Sequence, residues 1–147
     1  MSSNENEELA RRYVEEAWNE GNLGVVDELF ADTWVVHSSS HEHIEDADDL
    51  RRHIRMVRKA LADFEMNVEF VVAEEDMVTM GIWISGTHEG ELMGLDPSNE
   101  SVEVSGMMAH RFENGAIVES WIDWDVLGFL RQIGAVPRGL QPIAAGG

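Results

Sequence analysis

The apolar residues of this chain change their spacing once, from a helical period to a period of two, and the change falls near Phe64. Helices that come first, followed by an unbroken run of strands, argue for an α+β domain in which helices cover one face of a curved sheet. Such a cone leaves a pocket between its layers.

On the helical side, Asn4 with Glu7 reads as a capping box, and Leu9, Tyr13, Ala17 and Trp18 recur at helical spacing until Gly21 stops the run. Leu23, Val26, Leu29 and Phe30 make a short second helix that ends before Thr33. Residues 34–37 read as extended, and 38–46 as a polar loop. Asp46 or Asp48 caps a third helix whose buried stripe is Leu50, Ile54, Val57, Leu61 and Phe64, with Arg51, Arg52, Arg55 and Arg58 mostly on its outer side.

On the strand side, Met66, Val68, Phe70 and Val72 alternate with Asn67 and Glu69, so one face of that strand should be buried. A turn at 74–76 leads into a central strand over 77–86, and 90–100 reads as a loop. Strands over 102–112 and 116–124 meet at Asn114-Gly115, a strong two-residue hairpin signal. A short amphipathic helix over 126–133 stops at Gly134. The expected division is one domain over 1–136 and a loosely held tail over 137–147.

Composition narrows what such a domain can do. With 147 residues, 44% of them hydrophobic, the chain can close a single core. No apolar run is long enough to span a bilayer and the first twenty residues are acidic, so the expectation is a cytoplasmic protein. There is no cysteine, which excludes disulfides, thiolate nucleophiles and cysteine-ligated metals. Twenty-nine acidic residues against 10 basic ones give a formal charge of −19, which repels nucleic acid and anionic membranes. Lys59 is the only lysine, and an acidic, lysine-poor surface is one that concentrated salt would screen, so a halophilic source is expected.

The chemistry concentrates at the last hairpin. A two-residue turn at Asn114-Gly115 would set His110 opposite Glu119, Met108 opposite Trp121 and Gly106 opposite Asp123. Glu119, Trp121, Asp123 and Asp125 would then share a face with the imidazole, leaving Met107, Ala109, Val118, Ile122 and Trp124 on a second face that a partner subunit would cover. A carboxylate desolvated beside tryptophan becomes a stronger base toward a carbon acid, and a neighbouring histidine can stabilise the enolate oxygen. The same carboxylates also fit solvated positions at a strand end. His88, between Gly86 and Gly90, either lines the pocket mouth or hydrogen-bonds a bend. His53 reads as surface or rim. His37, His41 and His43 lack metal-ligand spacing, and no phosphate-binding loop is present, so neither a metal nor a cofactor is expected.

The combination of Gly86-Thr87-His88-Glu89-Gly90, Met93-Gly94, Pro97, Arg111 to Gly115, Ile117 to Trp121, and Asp125 through Leu127 and Leu130 to Gly134 resembles the SnoaL-like polyketide cyclase family, or ester cyclases, of the NTF2-like superfamily. The resemblance implies an NTF2-like cone of about three helices on a strongly curved, mixed but mainly antiparallel sheet, in a homo-oligomer such as a dimer or tetramer. It also implies cofactor-independent aldol cyclisation of a small hydrophobic carbonyl substrate. The family aspartate falls on Asp125, with Asp123 as its competitor, and the assisting histidine on His110. Trp121, Met108, His88, His37 and Trp34 are the candidates for contacting substrate. In place of a proline-proline-threonine-glycine-like loop the chain carries Asp96-Pro97-Ser98-Asn99, so the pocket rim should differ. The rival expectation is a non-catalytic module that binds a small apolar ligand.

Overall fold

The computed structural model describes residues 2–38 and 44–136, so His41, His43 and the expected tail lie outside the described residues. The first helix, α1 (Ser3–Arg12), is capped by Ser2, whose hydroxyl accepts from the Glu5 N–H; Asn4 already lies inside the helix. It continues into a π-helical segment (Tyr13–Asn19) that buries Tyr13, Val14, Ala17 and Trp18. Arg58 donates to the Trp18 and Asn19 carbonyls, satisfying the acceptors that a helix end leaves open. One of the expected outward arginines is therefore a clamp between helices.

After α2 (Val25–Leu29) come β1 (Phe30–Ser38), α3 (Ala47–Ala60), β2 (Leu61–Glu74), β3 (Met77–His88), β4 (Ser101–Glu113), β5 (Ala116–Trp124) and α4 (Val126–Gln132). The strands form one mixed sheet in the order β1-β5-β4-β3-β2, with β1 parallel to β5 and the other pairs antiparallel. Among the described residues, four α-helices on this open five-stranded sheet make the expected α+β cone. None of the described helices is long and apolar enough to cross a membrane.

Asp46 caps α3 through the Asp49 N–H, but the helix stops at Ala60 rather than carrying its stripe on to Leu61 and Phe64. The Ala60 carbonyl accepts from the Glu89 and Gly90 N–H groups, and Leu61 pairs with His88, so sheet pairing overrides the helical spacing. Gly90 is required at this corner, because a Cβ there would sit 2.9 Å from the Ala60 Cα.

Two register shifts decide which side chains face the helices. In β2 a shift between Val68 and Phe70 leaves Met66 buried but turns Phe70 and Val72 outward, contrary to a simple alternation. In β5 the hairpin starts as expected, with Glu113 opposite Ala116 and Phe112 opposite Ile117. An extra residue at Val118 then moves every later pair by one. His110 lies opposite Ser120, Met108 opposite Ile122 and Gly106 opposite Trp124. The inner face therefore carries Phe112, His110, Met108, Met80 and Ile82 in the core, while Met107, Trp83, Phe70 and Val72 remain on the outer face.

Candidate functional site

The bulge at Val118 corrects the expected grouping of His110 with the acids. His110 turns inward and is buried, whereas Glu119, Trp121 and Asp123 stay on the outer face beside Arg111, Ala109 and Met107. Asp123 is exposed opposite Met107. Asp125 has left the strand: its exposed carboxylate caps α4, accepting the Gly128 N–H at 2.8 Å. Five residues of extended chain separate Asp125 from Ser120, the partner of His110, roughly 16 Å of strand, which exceeds hydrogen-bond reach.

The other expected contacts scatter. His37 is exposed on the outer side, with Nε2 2.8 Å from Glu119 and its ring stacked on Trp121 at 5.3 Å. Hydrogen bonds from His37 first, and then from Arg111, hold the Glu119 carboxyl below its usual range. Trp34 packs on Phe30 and borders a separate groove by Asp27 and Asp46. His88 is fully buried at the end of β3, where its Nδ1 accepts the Ser98 N–H and meets the Ser98 hydroxyl. It ties down the loop carrying Asp96-Pro97-Ser98-Asn99. Of the two readings left open for His88, the geometry supplies the hydrogen-bonded bend.

What remains inside the cone is a two-lobed apolar interior. The larger lobe, of about 40 Å³, runs between Met66, Ile84, Val104, Trp124 and Phe129 and has Met93 at its rim. The smaller, of about 20 Å³, lies among Tyr13, Phe30, Met108, His110 and Ser120, and Trp121 also borders it. Trp18, His53 and Ile122 belong to both lobes and form the wall between them. His110 and Met108 thus stay within the site, with Trp121 at its border. Asp123, Asp125, His37, His88 and Trp34 do not line it.

His110 is the polar centre of this interior. Its Nδ1 is 2.6 Å from the Ser120 hydroxyl, Tyr13 packs edge-on against its ring at 5.4 Å, and Nε2 is buried with no hydrogen-bond partner. Burial pushes the imidazole down to about 3, so it is neutral at physiological pH. Burial likewise pushes the Tyr13 phenol up. Among the described residues no carboxylate lines either lobe. A neutral, positioned imidazole in dry surroundings can donate to a developing oxyanion without first losing a charge.

Sequence reasoning singles out none of three members of the site. Ser120 is one of five hydroxyls, with Thr79, Ser85, Ser101 and Ser105, that could orient a polar ligand, and the bulge hides which face it takes. Trp18 reads only as helix core. His53 was read as rim, although it lies three residues after Leu50 and four before Val57, on the buried stripe of α3.

The model of the SnoaL-like polyketide cyclase family matches residues 8–133. The chain belongs to this family. Among solved structures, AclR, a candidate hydroxylase from Streptomyces galilaeus, is 29% identical over 92% of this chain and 100% of its own, with a TM-score of 0.80. IdmH, a candidate polyketide cyclase from Streptomyces antibioticus, is 25% identical over 88% of this chain and 98% of its own, at 0.77. A candidate SnoaL-like polyketide cyclase from Jannaschia sp. CCS1 is 23% identical over 91% and 94%, at 0.82, and supports the fold alone. No curated protein matches the sequence.

Proposed function

We propose that this SnoaL-like protein is an enzyme that moves a proton next to a carbonyl of a small hydrophobic substrate, as in an intramolecular aldol cyclisation, using only its own side chains. The observation that carries the reading is His110: a neutral imidazole at the centre of an apolar interior, anchored through Nδ1 by Ser120 and with Nε2 buried but unpaired. Such an orphaned atom costs about 1–3 kcal/mol, and an enolate oxygen that accepts from it recovers that cost. For Nε2 to donate, the Ser120 hydroxyl donates to Nδ1.

The lobes hold only a few waters, so a ring-sized ligand must displace side chains. Met93, 40% exposed at the rim and flexible, is the side chain best placed to yield. Methionine, tryptophan and phenylalanine walls suit a flat apolar molecule. The outward-facing Phe70, Val72, Trp83 and Met107 support pairing of sheet faces in a homo-oligomer, which light scattering would detect.

The test is deuterium incorporation beside the carbonyl of α-tetralone in heavy water, followed by NMR. The wild-type protein should accelerate exchange, and His110→Gln should lose most of that acceleration. A second reading, a module that binds without converting, draws on the lack of a carboxylate in the lining. It predicts that α-tetralone binds with no exchange above buffer.

A further inference from the structure

Resting on the acid–base reading above, we propose that His53 is the proton acceptor of the interior site, with His110 as its neutral hydrogen-bonding partner across the cavity.

The case begins with what the interior offers. Among the described residues, the titratable side chains lining the two lobes are Tyr13, His53 and His110. Tyr13 is a buried phenol and stays protonated. Enclosure holds His110 neutral. Both acids named by the sequence point elsewhere, one opposite Met107 and the other committed to the Gly128 N–H. His53 differs from both enclosed groups in position: it is only partly buried, on the inner stripe of α3, and it belongs to the wall shared by the two lobes. Trp18 meets its ring edge-on at 5.8 Å, which orients the imidazole along that wall. A substrate carbon held in the smaller lobe would have His53 on the helix side and His110 on the sheet side.

The step balances within the chain. His53 takes the proton from the carbon beside the carbonyl; the C–H electron pair moves into the enolate, whose oxygen accepts from His110 Nε2–H. The enolate carbon then attacks a second carbonyl of the same molecule, forming one C–C bond, and the resulting alkoxide takes back the proton held by His53. No oxidant, reductant or co-reactant is consumed.

The experiment is α-tetralone exchange by the full chain, comparing wild type, His53→Gln and His53→Ala, with ligand-detected NMR to measure binding and thermal melts to verify folding. A positioned base contributes about 10²–10⁴-fold, so both variants should lose exchange by at least about a hundredfold while still binding α-tetralone. Added imidazole should restore exchange in His53→Ala, saturably and above its effect on buffer, which loss of a purely structural contact would not produce. His53→Gln keeps the side chain's bulk and serves if the alanine variant does not fold. Folded variants that exchange at the wild-type rate overturn the His53 assignment alone. Failure of the wild-type protein to exchange removes the enzymatic reading and this assignment with it.

Discussion

The Asp125 carboxylate lies 2.8 Å from the Gly128 N–H and closes the first turn of α4. A capping side chain and a catalytic base respond differently to the same change. Asn caps about as well as Asp, while Ala costs about 1 kcal/mol at such a position. Asp125→Asn should therefore keep both stability and α-tetralone exchange within a few-fold of wild type, and Asp125→Ala should lose stability in denaturant titration. An Asp125→Asn protein that is stable but inert would restore Asp125 as the base.

Burying His110 as a neutral ring links folding to protons. Its folded value, about 3, lies below the ordinary 6.5 of an unfolded histidine. The unfolded chain thus takes up the proton first as pH falls. The stabilisation is complete above about pH 6.5 and declines toward pH 3, at about 1.4 kcal/mol per pH unit. Urea titrations between pH 6.5 and 5, before most carboxylates titrate, should show His110→Gln with a shallower slope by about that amount. Equal slopes would mean that the ring is not enclosed. Ser120→Ala, which strips the Nδ1 partner, should cost about 1–3 kcal/mol.

The order of elements, the hairpin and the fold class were legible in the sequence because each rests on local chemistry. Asn114 and Gly115 both have positive φ, as their turn demands. The parity of β5 was not legible. Ile117, Val118, Trp121, Ile122 and Trp124 put apolar residues on both faces, so no alternation marks the bulge, and one added residue exchanges the faces of everything after it. The bulge before Phe70 hid itself in the same way. His53, by contrast, carried a usable signal, since its spacing from Leu50 and Val57 places it on the stripe. Its polarity alone argues for the rim.

The turn that presents Met93 offers a test of backbone chemistry alone. Leu92 and Leu95 exchange two backbone hydrogen bonds around Met93 and Gly94, whose φ values are +53° and +75°. A Cβ added to Gly94 would touch nothing within 4 Å, so the cost of Gly94→Ala is purely conformational. It should be about 1–2 kcal/mol, with Gly94→Asn recovering part of it, as read from urea midpoints at constant slope. A neutral alanine variant would show that the turn reverses by another geometry.

The acid excess sets the response to salt. Arg12 is shared by Glu16 and Glu28, Arg51 by Asp27 and Asp48, and Arg111 by Glu113 and Glu119. Each cluster retains one surplus carboxylate, and the chain as a whole carries −19. Exposed pairs contribute about 0–1 kcal/mol each, so screening them removes little. Screening the repulsion among the unpaired carboxylates removes a cost that grows with the whole net charge. Raising KCl from about 0.1 M to about 1 M shortens the screening length from about 10 Å to about 3 Å. The melting temperature should therefore climb steadily over that range. A flat or falling curve would mean that the ion pairs outweigh the repulsion, and that the acidic surface is no adaptation to concentrated salt.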